Sequence, residues 1–308
     1  MIEATSLSKR YGDTLAVDDL TFSIRPGQVT GFLGPNGAGK STTMRLMLGL
    51  DSGGGRTTFD GRTYRELPHP TRTVGALLEA KAFHPTRSAR NHLRMLAAAE
   101  GIPARRADEV LALVGLDQVA GKAPKGFSLG MGQRLGLAAA LLGDPEVLFL
   151  DEPANGLDPQ GIIWLRGFLK SYAAGGRSVF VSSHLLAEMA QMADHLVVVG
   201  RGRLITDTST KQFIEHSSRN SIVVRSPEAH RLRPLLAEHG ASVSVEDDGA
   251  LALTGIEQAR VGDLAFGAGI VLHELTTRVA TLEEAFLEAT AGEQQYEAGP
   301  GATPAVPS

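Results

Sequence analysis

The chain has no cysteine among its 308 residues. Disulfides and thiolate metal sites are therefore excluded, and a reducing compartment suits such a chain. It has no uncharged apolar run long enough to cross a bilayer. It has no excess of positive charge either: the formal net charge is −4, which does not favour a general nucleic-acid-binding surface, although a local basic patch stays open. The opening Met1-Ile2-Glu3-Ala4-Thr5 lacks the basic start and apolar core of a signal peptide. A cytoplasmic protein is the expectation, and if it works at a membrane another subunit must do the spanning. What is present is ordinary for a soluble globular chain: 43% hydrophobic and 21% charged residues, enough to bury a real core. The length suggests about two domains.

The chain is organised around Gly34-Pro35-Asn36-Gly37-Ala38-Gly39-Lys40-Ser41-Thr42, which fits the phosphate-binding pattern G-x-x-x-x-G-K-[ST]. Gln28 to Leu33 before it reads as a short buried strand, and Met44, Leu46, Met47 and Leu48 after it give an apolar helical face. Strand, glycine loop, helix is the context this motif needs. Its glycines let successive N–H groups curl toward phosphate oxygens, and the helix start adds a positive dipole end. Lys40 would reach the β- and γ-phosphates, and the Ser41 hydroxyl would ligate Mg²⁺. The competing reading is a glycine-rich turn that fits by chance.

Ahead of this loop, Ile2–Leu7 reads as a strand, Lys9 to Asp13 as a turn, and Leu15–Val17 and Leu20–Ile24 as paired strands. Tyr11, placed on a loop, either stacks on an adenine face or packs as a rim residue. Beyond it, Val74 to Glu79 is an apolar strand ending on a carboxylate. Helical periodicity over Arg90–Ala99 and Ala104–Val114 suggests a helical insert. Ser128 is a good N-cap for a helix running through Leu142. Val147 to Leu150 and Ser178 to Ser183 are apolar runs of the kind buried on both faces of a parallel sheet. A Ser/Thr-rich piece, Thr206 to Ser218, marks a boundary. The order β-α-β-β-α-β from Ile222, closing on a strand over Ile270–Leu275, fits a small ferredoxin-like module. Thr281-Leu282-Glu283-Glu284 opens a last helix as a capping box, and the Gly/Pro/Ala/Gln-rich stretch 292–308 is expected to be disordered.

Three further groups answer needs that the phosphate loop creates. Asp151-Glu152 ends a buried strand, where sites form at the carboxyl edge of a parallel sheet. Asp151 would be the Mg²⁺-side carboxylate and Glu152 the general base. Two acids at an ordinary strand end is the plainer alternative. His184 follows its own strand and would donate to the γ-phosphate and help position water, unless its role is structural. Ser128 to Arg134 opens a helix whose N-terminus can hold a phosphate by hydroxyl, backbone N–H and dipole, or can be a simple cap. One copy already has a phosphate loop, so a second anion-binding end makes sense on nucleotide bound to another copy. That argues for a head-to-tail dimer with ATP between subunits.

The order Tyr11, Gly34–Thr42, Glu79, Ser128–Arg134, Asp151–Glu152, Asn155-Gly156-Leu157-Asp158, His184 resembles the nucleotide-binding subunit of an ATP-binding cassette (ABC) transporter over roughly residues 1–215. The resemblance implies an α/β P-loop NTPase fold with a parallel core sheet, an antiparallel β subdomain and a helical subdomain over about 85–140. A small α+β accessory domain over 220–290 follows. Carried over, Tyr11 stacks on adenine, Gly34–Thr42 is Walker A, and Glu79 stands at the Q-loop position. Phe127-Ser128-Leu129-Gly130-Met131 is the signature that meets the ATP of the opposing subunit. Val147–Glu152 is Walker B, Asn155–Asp158 the D-loop and His184 the switch histidine. Ser41, Glu79 and Asp151 are then the Mg²⁺ side.

Phe127 to Arg134, Asp151 to Pro159, Ser182 to Met189 and Thr281 to Glu288 are similar to the bacterial ABC-2-type, drug- and bacitracin-export branch. Two departures stand out. Leu129 replaces the usual second glycine of the signature, and Glu79 replaces the usual glutamine, adding charge near the γ-phosphate. The resemblance implies an ATPase subunit that works with a separate polytopic permease on the inner face of the membrane, with no nucleic-acid partner. The rivals are a non-transport cassette ATPase acting on ribosomes or DNA, and a P-loop kinase. The first usually pairs two cassettes in one chain or carries long coiled coils, neither found here. The second would not need Ser128–Arg134. The cargo is not written in these residues.

Overall fold

The continuous apolar runs of the sequence become the inner strands of a parallel sheet. The computed structural model describes residues 1–79 and 82–291; the stretch 292–308, expected to be disordered, lies outside the described residues, as do Ala80 and Lys81. Two units are described in turn, residues 1–210 and 211–289.

The first unit opens with β1 (Ile2–Tyr11), β2 (Thr14–Ile24), β3 (Val29–Leu33), α1 (Lys40–Met47) and β4 (Gly54–Phe59). It continues with the short α2 (Pro70–Thr73), β5 (Val74–Leu77), then α3 (Ala89–Ala99), α4 (Arg105–Leu113) and α5 (Leu129–Ala140). The remainder is β6 (Val147–Leu150), α6 (Pro159–Ala174), β7 (Ser178–Ser182), α7 (Leu186–Met192), β8 (His195–Gly200) and β9 (Arg203–Ser209). Six strands form one sheet in the order β5-β6-β7-β3-β8-β9, parallel except for the last pair. Every residue of β3, β6 and β7 is buried, as strands covered on both faces must be. A second, antiparallel sheet has the order β2-β1-β4.

Phenylalanines join the two sheets. Phe22 on β2 stacks on Phe32 of β3 and Phe180 of β7, at centroid distances of 5.8 and 5.7 Å. Phe149 of β6 meets Phe180 edge-on at 5.3 Å and touches Phe59 of β4 at 6.0 Å. Each such pair adds about 0.5–1.5 kcal/mol beyond its buried area. This core sets the sheet on which the site is built. Register puts Leu150 beside Val181 and Val181 beside Gly31, so β6, β7 and β3 end within two residues of one another, β3 reaching furthest.

Several local expectations are corrected. Leu15–Val17 and Leu20–Ile24 are one strand paired with β1, not a pair with each other. The intervening acids look like a turn but make a bulge: Asp19 has φ 52°, while Asp18 donates its N–H to Gly202 O at 2.8 Å and accepts from Arg203 Nε at 2.6 Å. Strand β1 runs on through Tyr11, so that residue ends a strand and does not sit on a loop. Strand β5 stops at Leu77, leaving Glu79 beyond it, and α5 stops at Ala140.

In the second unit, α8 (Thr210–Glu215) precedes β10 (Ser221–Arg225), α9 (Ala229–Glu238), β11 (Ser242–Val245), β12 (Leu251–Thr254), α10 (Gln258–Gly267), β13 (Glu274–Arg278) and α11 (Leu282–Ala289). Its antiparallel sheet has the order β11-β12-β10-β13 over a core of Ile222, Val224, Leu232, Leu236, Leu253 and Val261. The closing strand lies at Glu274–Arg278, not at Ile270–Leu275. Gly269, at φ 64°, turns the chain out of α10, and the Ile270 N–H closes back on Ala265 O at 2.9 Å, so Ile270 is buried as part of the helix stop.

Candidate active site

The phosphate loop bridges β3 and α1. Gly39 precedes the helix at φ 97°, and a Cβ there would stand 2.3 Å from Ala16 O, so only glycine fits. Lys40 is buried and its Nζ donates to Gly34 O at 2.7 Å and Pro35 O at 3.2 Å. Burial pushes its pKa down, and the charges of Glu152 and Asp151 push the other way. An ammonium held by carbonyls of its own loop, with two carboxylates in electrostatic reach, is poised for an anion that replaces those carbonyls. The Thr43 hydroxyl ties back to Gly39 O at 2.9 Å, while Ser41 is exposed on the first turn of α1.

The neighbouring ends of β6 and β7 bring the next residues beside this loop. Asp151 donates its N–H to Leu77 O at 2.7 Å, and its Oδ1 accepts from the Ser182 hydroxyl. Ser182 Oγ in turn accepts the Glu152 N–H at 2.9 Å. Glu152 sits at φ 49°, in the left-handed region, which costs an L side chain about 1–2 kcal/mol. Its carboxylate accepts the His184 N–H at 3.2 Å, and His184 Nδ1 lies 2.7 Å from the same Oε2. A carboxylate only accepts, so Nδ1 carries the proton in this pairing. Glu152 and His184 thus form a dyad in contact, beside the phosphate loop.

Tyr11 is held from an unexpected quarter. Its hydroxyl donates to Asp51 Oδ2 at 2.9 Å, and Asp51 is gripped by Arg45 through Nε and Nη2, both at 3.1 Å. The Arg45 guanidinium holds the Asp51 carboxyl below its usual range, and the Asp51 bond raises the Tyr11 phenol. Lys9 Nζ lies 4.9 Å over the Tyr11 ring. The ring itself is half exposed, as a stacking platform must be.

Ser128 caps α5 by accepting the Met131 N–H at 3.2 Å. Ser128, Gly130, Met131, Arg134, Gly156 and Asp158 line a separate concavity of about 370 Å³. Gly130 and Gly156 are in close approach: a Cβ on Gly130 would lie 2.5 Å from Gly156 O. Leu129 is half exposed and lies over Gly156. Asp158 caps α6, accepting the Gly161 N–H at 2.9 Å, and Asn155 donates its N–H to Glu152 O at 3.2 Å. Glu79 is exposed past β5 and shares a groove with Arg45 and His92.

The structure therefore unites Lys40, Asp151, Glu152 and His184, while Ser128, Gly130 and Met131 line the concavity shared with Gly156 and Asp158. Three residues near these motifs were not anticipated. Ser182 bridges both acids, Asp51 anchors Tyr11, and Gln133 donates to Glu152 O at 2.8 Å. A serine ending a buried strand next to one that ends in two acids is the only signal the sequence offered for Ser182.

A family model described as ABC transporter matches residues 17–155, and one described as a domain of unknown function matches residues 220–283. The bacitracin transport ATP-binding protein BcrA of Bacillus licheniformis is 34% identical over 300 residues, covering 95% of this chain and 98% of that protein. The chain belongs to the ATP-binding subunits of ABC transporters. A Nod factor export ATP-binding protein I of Ralstonia nicotianae is 33% identical over 96% of this cassette subunit and 95% of its own length. The lantibiotic transport ATP-binding protein SrtF of Streptococcus pyogenes is 35% identical over 67% and 90%. Among solved structures, an ATP-binding subunit of an ABC transporter is 27% identical with a TM-score of 0.64, covering 70% of this chain and 92% of that one. A bacterial ABC transporter cassette solved as a dimer has a TM-score of 0.63 at 21% identity, a likeness of fold alone. The cassette subunit described here is accordingly an α/β P-loop ATPase.

Proposed function

We propose that this subunit binds and hydrolyses ATP to power export of a small molecule or peptide through a separate polytopic permease. The observation that carries the chemistry is the meeting of buried Lys40 with the Asp151, Glu152 and His184 ends of neighbouring strands. Relatives named for bacitracin, lantibiotic and Nod factor transport support export and this range of cargo. Among the described residues no helix is long and apolar enough to cross a membrane, so the pathway for cargo is assigned to the permease and this subunit to its cytoplasmic face.

In this reading Gly34–Thr42 cradles the phosphates and Lys40 leaves the loop carbonyls for the β- and γ-phosphates. Tyr11 stacks on the adenine. Glu152 takes the proton of the attacking water, typically about 10²–10⁴-fold in rate. His184 holds the Glu152 carboxylate in place through Nδ1 and presents its second nitrogen to the reacting phosphate. Ser41, Asp151 and Glu79 are the hard oxygen donors that suit Mg²⁺. Among the described residues no cluster of three or more acids or histidines could hold a metal alone, so the other ligands would come from nucleotide and water. Bound there, Mg²⁺ neutralises charge on the phosphates.

Ser128–Met131 of one copy closes on nucleotide held by Gly34–Thr42 of another, in a head-to-tail homodimer. The placement of those residues on a separate concavity supports this arrangement. The test is Glu152→Gln. It should bind ATP and dimerise with the affinity of the natural protein while turnover falls at least about 100-fold. Normal turnover in that variant removes Glu152 as the base. A polytopic membrane protein should co-purify with the natural subunit, and recovery with ribosomes would reverse the transport reading.

A further inference from the structure

Glu152 is held by Ser182, His184, Asn155 and Gln133, and the last of these comes from a helix. Gln133, on the second turn of α5, is buried, and its Nε2 donates to Glu152 O at 2.8 Å. The same oxygen accepts the Asn155 N–H at 3.2 Å. The signature helix, the Asn155–Asp158 stretch and the end of β6 therefore meet on one carbonyl. That carbonyl belongs to a residue at φ 49°, a conformation that persists only where neighbours impose it.

Two further observations separate this contact from ordinary packing. Gln133 Oε1 is buried with no hydrogen-bond partner among the described residues. An amide that leaves its acceptor unsatisfied is a poor choice for filling space, since an apolar side chain of the same length would leave nothing unpaired. One turn earlier on α5, Leu129 lies against Gly156, where a Cβ would stand 2.5 Å from Leu129 Cδ2. The first turn of α5 and the segment after Glu152 are thus packed together, and both lead to the Glu152 carbonyl.

We propose that Gln133 is a positioning residue: its amide N–H fixes the main chain of Glu152 so that the carboxylate is aimed for water activation, and so joins the base to the helix that carries Ser128. This rests on the reading of Glu152 as the base. The test uses the full chain, with Gln133→Met, Gln133→Glu and Glu152→Gln assayed in parallel. Gln133→Met should lower kcat about 10- to 100-fold, as misplacement of a catalytic group does. Its KM for ATP should stay within about twofold, and its Tm should match or exceed that of the natural protein.

Gln133→Glu keeps the shape but turns an acceptor toward a carbonyl. Its kcat relative to the natural protein should be low at high pH and rise as pH falls and the carboxyl regains a proton to donate. A Gln133→Met kcat within about twofold of natural overturns the proposal. So does a pH-independent loss in both variants that follows a lowered Tm, which marks a packing role. Normal turnover in Glu152→Gln fells the general-base reading instead, whatever the Gln133 variants do.

Discussion

Lys40 is a buried charged group, held for phosphate in the proposed function. Burial lowers its pKa, so the folded state releases the proton more readily than the unfolded chain. Stability therefore rises with pH only in the alkaline window between the lowered value and the ordinary 10.5, and at neutral pH the full cost of burying the ammonium is present. Lys40→Met is expected to leave the Tm of the nucleotide-free protein unchanged or raised, while the thermal shift on adding ATP disappears. A calorimetric or dye-based melt checks both, and a large drop in Tm without nucleotide would contradict the account. Asp51 has the opposite sign. Its pKa is depressed by Arg45, so its contribution is complete above the ordinary 3.8 and fades as pH falls through the lower folded value. The Tyr11 anchor is consequently pH-independent near neutrality. Asp51→Ala frees the Tyr11 ring and is expected to raise the KM for ATP about threefold to tenfold, a loss of roughly 1 kcal/mol for one hydrogen bond, with kcat little changed. Steady-state titration of ATP reads this directly.

At the scale of elements, α5 serves two sites. Its first turn carries Ser128 and Met131 toward the concavity, and its second turn carries Gln133 inward to Glu152. Ser128→Ala removes the side-chain cap, at a cost of about 1 kcal/mol to the unit. That small loss of Tm should accompany a much larger one: ATP-driven dimerisation, followed by size-exclusion chromatography in the Glu152→Gln background, should fail. Retained dimerisation would return Ser128 to a simple cap. Leu129, where the family carries glycine, packs on Gly156. The three strands β3, β6 and β7 act as one element for the proposed chemistry, because they end within two residues of one another and leave their following residues near each other.

At the scale of the molecule, each unit has a core of its own, the phenylalanine-centred core of residues 1–210 and the Ile222–Ile270 core of residues 211–289. Every residue of the proposed ATP site lies in the first. Differential scanning calorimetry of the Glu152→Gln chain should then show two transitions. ATP with Mg²⁺ at 100 times its Kd should stabilise only the first, by about 2.7 kcal/mol. Two transitions rising together would show that nucleotide binding is shared with the second unit. We propose that the second unit, an antiparallel sheet in the order β11-β12-β10-β13 with α9 and α10 connecting its strands, is a ferredoxin-like accessory domain.

The bare sequence carries the phosphate loop, the paired acids, His184 and the parallel sheet they end. Each is carried by a contiguous stretch whose meaning is local: a glycine spacing, an apolar run, an acid where that run stops. It misread β2 as a hairpin, because Asp18 and Asp19 look like a turn when the partners of Asp18, Gly202 and Arg203, are far along the chain. It placed the last strand four residues early, because Ile270 is apolar for a helix stop and not for a strand. What holds the candidate catalytic groups is set by contacts between distant parts of the folded chain. Ser182 meets Asp151 across 31 residues, Tyr11 meets Asp51 across 40, and Gln133 meets Glu152 across 19. Such contacts follow from strand register and helix docking, which bring distant residues within hydrogen-bond reach and leave no periodic trace in the chain.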